Sequence, residues 1–162
     1  MYNEQEHAKV HSLRIKRRLV AIVPAVLVLA AALAIFIVGR IHRSEDAWKL
    51  TAALTVVGLS YLVFMLGVYV RPVACYDKHI GFMLHGRQHF TTGLLKEVGD
   101  NLCERGGVNC YPIMINVGDK DDGKDDRLFY FDALKEWPNI PLGSRITIQH
   151  NDIMVSDFRL EN

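Results

Sequence analysis

Two stretches of the chain, residues 19–39 and 50–70, contain no charged side chain, and each is 21 residues long. As a helix, 21 residues reach ~31 Å at ~1.5 Å per residue, which matches a bilayer hydrocarbon core of ~30 Å. The expectation is a membrane α-helical hairpin of two transmembrane helices, joined by the loop 40–49. The first run is too long for the ~7–15-residue apolar region of a signal peptide. It also ends in Val38-Gly39-Arg40-Ile41-His42, without a small-x-small cleavage pattern, and is therefore expected to be a retained span.

Outside the hairpin lie a basic tail, residues 1–18, and a segment 71–162. The latter is long enough for one small domain and too short for two. The tail holds Lys9, Arg14, Lys16, Arg17 and Arg18, and Arg71, Lys78 and Arg87 follow the second span. The loop between the spans holds only Arg40, Arg43 and Lys49. Basic residues near span ends stay on the cytoplasmic side. Both ends of the chain are thus expected in the cytoplasm, at the inner or plasma membrane.

The spans carry little else. Ala21 and Ala25, and Ala30 and Ala34, have the small-xxx-small spacing that permits close helix packing, within the hairpin or between protomers. Pro24 is expected in the first turns of its span, where a missing amide costs little. Trp48 and Tyr69 read as interface anchors. Neither span holds an ionisable residue of the kind transporters and proton relays use.

Segment 71–162 reads mostly as short strands. Ile146 and Ile148, then Ile153 and Val155, flank the turn-prone His150-Asn151-Asp152. Residues 108–117 form a second β-rich run, residues 128–131 a third, and residues 80–84 are expected as a first strand. Segment 91–105 fits either a helix through Leu94, Leu95, Val98 and Leu102 or a strand that turns at 104–107 and pairs with 108–117; the strand pair is preferred. Five or six short strands with polar turns suggest a small all-β domain, a closed or partly closed barrel of the OB or SH3-like kind.

The runs Thr92-Gly93-Leu94-Leu95, Cys110-Tyr111-Pro112-Ile113 and Gly143-Ser144-Arg145-Ile146-Thr147-Ile148 follow a helix hairpin. This layout resembles NfeD-type membrane proteins and other bacterial membrane β domains. The likeness covers about half of the soluble segment. It implies a fold and transfers no functional residues.

Chemical motifs are sparse. Cys75, Cys103 and Cys110 are odd in number and lack CxxC or CxxH spacing, which argues against a disulfide framework and a zinc site. Cys103 and Cys110 would face each other across a hairpin. His79, His85 and His89 have even spacings that would share one face of a strand, interrupted by a turn at Gly86. The acidic run 119–126 fails the EF-hand pattern: counted from Asp119, Gly123 falls at position five and Tyr130 at twelve. Ser144 lies in Leu142-Gly143-Ser144-Arg145, which is not GxSxG. Segment 71–162 counts eleven Lys and Arg against fourteen Asp and Glu, which opposes nucleic-acid binding by Phe129, Tyr130 and Phe131. No catalytic, cofactor or metal residue is assigned, and no small-molecule substrate is identified.

The expected function is a non-enzymatic, membrane-anchored β domain that binds a protein partner or its own copies at the cytoplasmic face. Its binding loops would be 119–126 or 134–142, where Trp137 is an exposed anchor or a lid on the core. The alternative is an accessory subunit of a membrane transporter, protease or secretion complex, contacting it through the spans. A metal-binding or enzymatic domain is the third reading.

Overall fold

A computed structural model describes residues 1–118 and 123–161. The chain divides into two compact units, Lys9–Ala74 and Met1–Ala8 together with Cys75–Asn162. The helices α1 (Glu4–Ile41), α2 (Ala47–Phe64) and α3 (Arg71–His85) come first, with the π-helical turn Met65–Val70 joining α2 to α3. Two continuous helical stretches, Glu4–Ile41 and Ala47–His85, are long and apolar enough to cross a membrane.

In the helical unit the large apolar side chains point outward, as Leu27 and Val63 do, while small residues line the seam. Ala21, Ala25, Ala32 and Gly39 are the buried positions of the first helix, and Gly58 is that of the second. A Cβ on Gly58 would come within 3.2 Å of Val28 Cγ1, so the missing side chain sets how closely the helices approach. Ala30 and Ala34, the second small pair, are exposed.

Pro24 departs from expectation. Because α1 begins at Glu4, Pro24 lies inside the helix and not in its first turns. Proline removes the amide that would bond the carbonyl four residues earlier, here Val20. The Tyr61 hydroxyl of α2 donates to that Val20 oxygen at 3.3 Å.

The early start of α1 has a local cause. Asn3 Oδ1 accepts from the Glu6 amide at 2.7 Å, the bond of a helix N-cap. At the other end of the helical stretch, the strand expected at residues 80–84 is helix. Asp77, Ile80 and Met83 are its buried positions, spaced three apart, which is helical periodicity. α3 stops at Gly86, where a Cβ would fall 1.7 Å from Asn151 Nδ2 and 2.5 Å from the Phe82 carbonyl oxygen.

Six strands follow: β1 (His89–Val98), β2 (Cys103–Arg105), β3 (Val108–Asn116), β4 (Asp126–Asp132), β5 (Arg145–Asn151) and β6 (Met154–Leu160). Segment 91–105 is therefore strand on either side of a connection at 99–102, and residues 103–105 turn back at Gly106-Gly107 to pair with β3. The sheet order is β1-β5-β6-β4-β3-β2, and β1 also pairs with β3. Its first half, His89 to Leu94, bonds to β5; its second half, Leu94 to Val98, bonds to β3 across a bulge between Leu95 and Glu97. Gly93 sits at this handover, where a Cβ would lie 2.3 Å from the Asn116 carbonyl oxygen. The single parallel pairing among the described strands joins β4 to β6 at Tyr130 and Met154.

β3 and β4 each bury side chains on both faces. Ile113, Ile115, Phe129 and Phe131 join Leu95, Ile146, Ile148 and Val155 in the main core. Cys110, Val108, Tyr130 and Met154 face the other way and meet Met83 of α3, with Tyr2 and Tyr76 packed against them.

Candidate functional site

Asp132 ends β4 and is fully buried. A buried carboxylate needs donors, and this one finds them far along the chain. The hydroxyls of Tyr2 and Tyr76 donate to Oδ2 at 3.1 and 3.0 Å, and the Leu134 amide donates to Oδ1 at 2.9 Å. The Tyr2 oxygen also lies 3.1 Å from His79 Nε2. A phenol has one hydrogen, and Asp132 takes it, so His79 must carry its proton on Nε2 and donate it to Tyr2. Burial lowers the His79 pKa against an opposing pull from Asp132, keeping the ring neutral at pH 7. Burial first, then the charge of Asp132, pushes both tyrosine phenols well above their ordinary range. These groups hold protons firmly. They are suited to fixing residues 1–8 against the domain, which the ion pair Lys135–Glu6 at 2.5 Å also does.

The cysteines are free thiols. Cys103 and Cys110 face each other in register, and Cys103 Sγ donates to the Cys110 carbonyl oxygen at 3.2 Å. Burial, with Asp132 and Cys103 adding to it, pushes the Cys110 thiol up to about 12. A thiol so protonated is a poor nucleophile.

Beside this cluster, α3, the β2–β3 turn and the β5–β6 turn enclose a groove of about 440 Å³. Cys75, Phe82, Ile153 and Met154 supply apolar walls, Lys78 and Arg105 supply positive charge, and Asp152 adds one carboxylate. Arg105 is fixed by a 2.6 Å bond from Nη2 to the Tyr130 hydroxyl, which raises its pKa further. Asp152 adopts φ 55° in the β5–β6 turn, which turns Ile153 out as a half-exposed side chain of the wall.

The three histidines, whose shared strand face was expected to be interrupted at Gly86, are dispersed. His79 joins the tyrosine cluster; His85 ends α3 beside Glu4, at 3.7 Å; His89 opens β1 and stacks on His150, with ring centres 5.8 Å apart. Trp137 packs edge-on to Phe131 at 4.8 Å and against Phe158 at 5.4 Å, so it closes the core. Residues 119–122 of the acidic run lie outside the described residues. At its end Asp126 accepts from Asn116 and Lys96, which lowers its pKa. Tyr2, Tyr76 and Asp132 had no local signature, because their partners lie 56 to 130 positions away. Compared with protein families, curated proteins and solved structures, the chain returns no match.

Proposed function

We propose that the chain is a non-enzymatic, membrane-anchored β domain that binds another protein at the cytoplasmic face. The groove of α3, β2–β3 and β5–β6 carries this reading. Its apolar walls, Phe82, Ile153 and Met154, beside the cationic Lys78 and Arg105 suit a partner segment that presents an apolar side chain next to a carboxylate. Exposed Phe82 is surface that water solvates poorly, and Arg105 is already held in one geometry, which reduces the ordering cost of binding.

The sheet is proposed to be a closed barrel of the OB kind. The pairings that support this run β1 to β5, β5 to β6, β6 to β4, β4 to β3 and β3 back to β1. The parallel β4–β6 contact is the one departure from antiparallel pairing that this strand order requires. Closure leaves β2 as a short flap on β3 and removes long exposed edges. The cytoplasmic assignment rests on the eight basic residues flanking the spans on the side of the tail and domain, against three in the loop.

A second reading, an accessory subunit contacting a larger membrane complex through its spans, is favoured by the exposed small pair Ala30 and Ala34. One experiment separates the two. The full chain is cross-linked in native membranes, purified and its partners identified by mass spectrometry. Groove variants Phe82→Asp and Lys78→Glu should lose the partner while Ala30→Leu/Ala34→Leu keeps it. The reverse pattern would move the interaction to the spans, and recovery of cross-links only to the same chain would make the domain a self-assembly module. Impermeant thiol labelling of intact cells checks the orientation: reaction of a native cysteine without lysis would overturn it.

A further inference from the structure

We propose that Glu4, His7 and His85 form a binding site for a first-row divalent transition metal ion, of the zinc class. Glu4 and His7 are three apart in the first turn of α1 and so share a helix face. His85 is the last residue of α3. One ligand atom from each of the three lies within 4.8 Å of the others. The pair His85 Nε2 and Glu4 Oε1 is already at 3.7 Å, and the His7 and His85 rings are 6.2 Å apart in an edge-on arrangement.

Zinc–nitrogen and zinc–oxygen bonds of ~2.0–2.2 Å place tetrahedral ligands about 3.4 Å apart. The cluster therefore needs to close by roughly 1 Å. Glu4 and His85 are exposed side chains at helix ends, with rotamer freedom to do so. Two imidazoles and a carboxylate are borderline donors, which favour zinc, cobalt or nickel over calcium or magnesium. With three protein ligands, the fourth position is left to water.

Asp77 of α3 is 3 % exposed, and its Oδ1 lies 3.5 Å from His7 Nε2. A buried carboxylate against one ring nitrogen orients a histidine whose other nitrogen takes the metal. The helix termini contribute as well: an ion bound here joins the first turn of α1 to the last turn of α3, so its binding energy becomes stability of the fold that brings Met1–Ala8 onto the domain.

The test uses the full chain in detergent, without a histidine tag and stripped with chelator. Cobalt is titrated as a spectroscopic probe and zinc is then added by calorimetry. The expected result is one saturable equivalent, with the ligand-field absorption of four-coordinate cobalt lost on zinc addition. Because losing even an outer partner weakens metal sites by about 10–100-fold, His85→Ala and Glu4→Gln should weaken binding by about 100-fold or more. His89→Ala, which removes one ring of the other histidine pair, should bind like the parent. The apo melting temperatures of the three variants should match the parent, since the substituted side chains are exposed. Absence of saturable binding, unchanged affinity in His85→Ala, or loss in His89→Ala instead would overturn the proposal.

Discussion

The Tyr61 hydroxyl donates to the backbone oxygen of Val20, the carbonyl that Pro24 leaves without its helical amide partner. Inside a hydrocarbon layer an unmatched carbonyl is costly, and a neighbouring helix can supply the missing donor. Tyr61→Phe should destabilise the hairpin by ~1 kcal/mol, the scale of interhelical hydrogen bonds in bilayers. In the Pro24→Ala background the amide returns and the same substitution should cost nearly nothing. A double-mutant cycle of unfolding in bicelles checks this, and equal losses in both backgrounds would refute the assignment.

Asp132→Ala strands the hydroxyls of Tyr2 and Tyr76 in a buried site. At ~1.5–3 kcal/mol for hydrogen bonds to a charged group, the expected loss is about 2–5 kcal/mol, read by chemical denaturation. Tyr2→Phe removes one of these bonds and should cost ~1–2 kcal/mol. It should also speed proteolysis within residues 1–8, which Asp132→Ala should do more strongly.

Stability should fall on both sides of neutrality. His79 has a pKa below its usual 6.5 in the folded chain, so the unfolded chain protonates first; stability is full above 6.5 and declines as pH drops below it. On the alkaline side the thiol of Cys110 and the phenols of Tyr2 and Tyr76 are raised in the folded chain. The unfolded chain loses those protons first, so stability declines above about 9, the ordinary thiol value, and more steeply above 10. Thermal melts across this range check both limbs. In His79→Gln the acid limb near 6.5 should shrink, whereas Tyr2→Phe should shrink only the alkaline one.

Trp137 closes the core between Phe131 and Phe158. Trp137→Ala should cost ~3 kcal/mol, as large aromatic truncations do. Binding of the partner proposed for the groove should persist wherever the variant remains folded. A variant of unchanged stability that loses the partner would make Trp137 the binding anchor.

The legible parts of the sequence were those whose signal is local. The charge-free runs gave the helices, and alternating Ile146, Thr147 and Ile148 across a turn from Val155 gave the β5–β6 hairpin. The ends of the long helices were harder. Asn3 followed by Glu6 is a capping pattern, but a short one that stands beside a longer basic run whose signal concerns topology. Gly81, Phe82 and Met83 look like a strand in isolation, and only Asp77, Ile80 and Met83 together show the three-residue period. The polar cluster had no such trace. Asp132 follows Phe129, Tyr130 and Phe131 as any strand-ending acid does, and its burial depends on a tyrosine at position 2.

That separation also sets a timetable. Tyr2 leaves the ribosome 130 residues before Asp132. At ~5–20 residues per second, roughly 7–26 s pass between them. Both long apolar helical stretches are made in that interval, so the first turn of α1 must wait for a partner synthesised after them. A chain threaded with its two ends on opposite faces of the bilayer could never close the Tyr2–Asp132 contact. The contact thus closes late, and only where the two ends of the chain share one side.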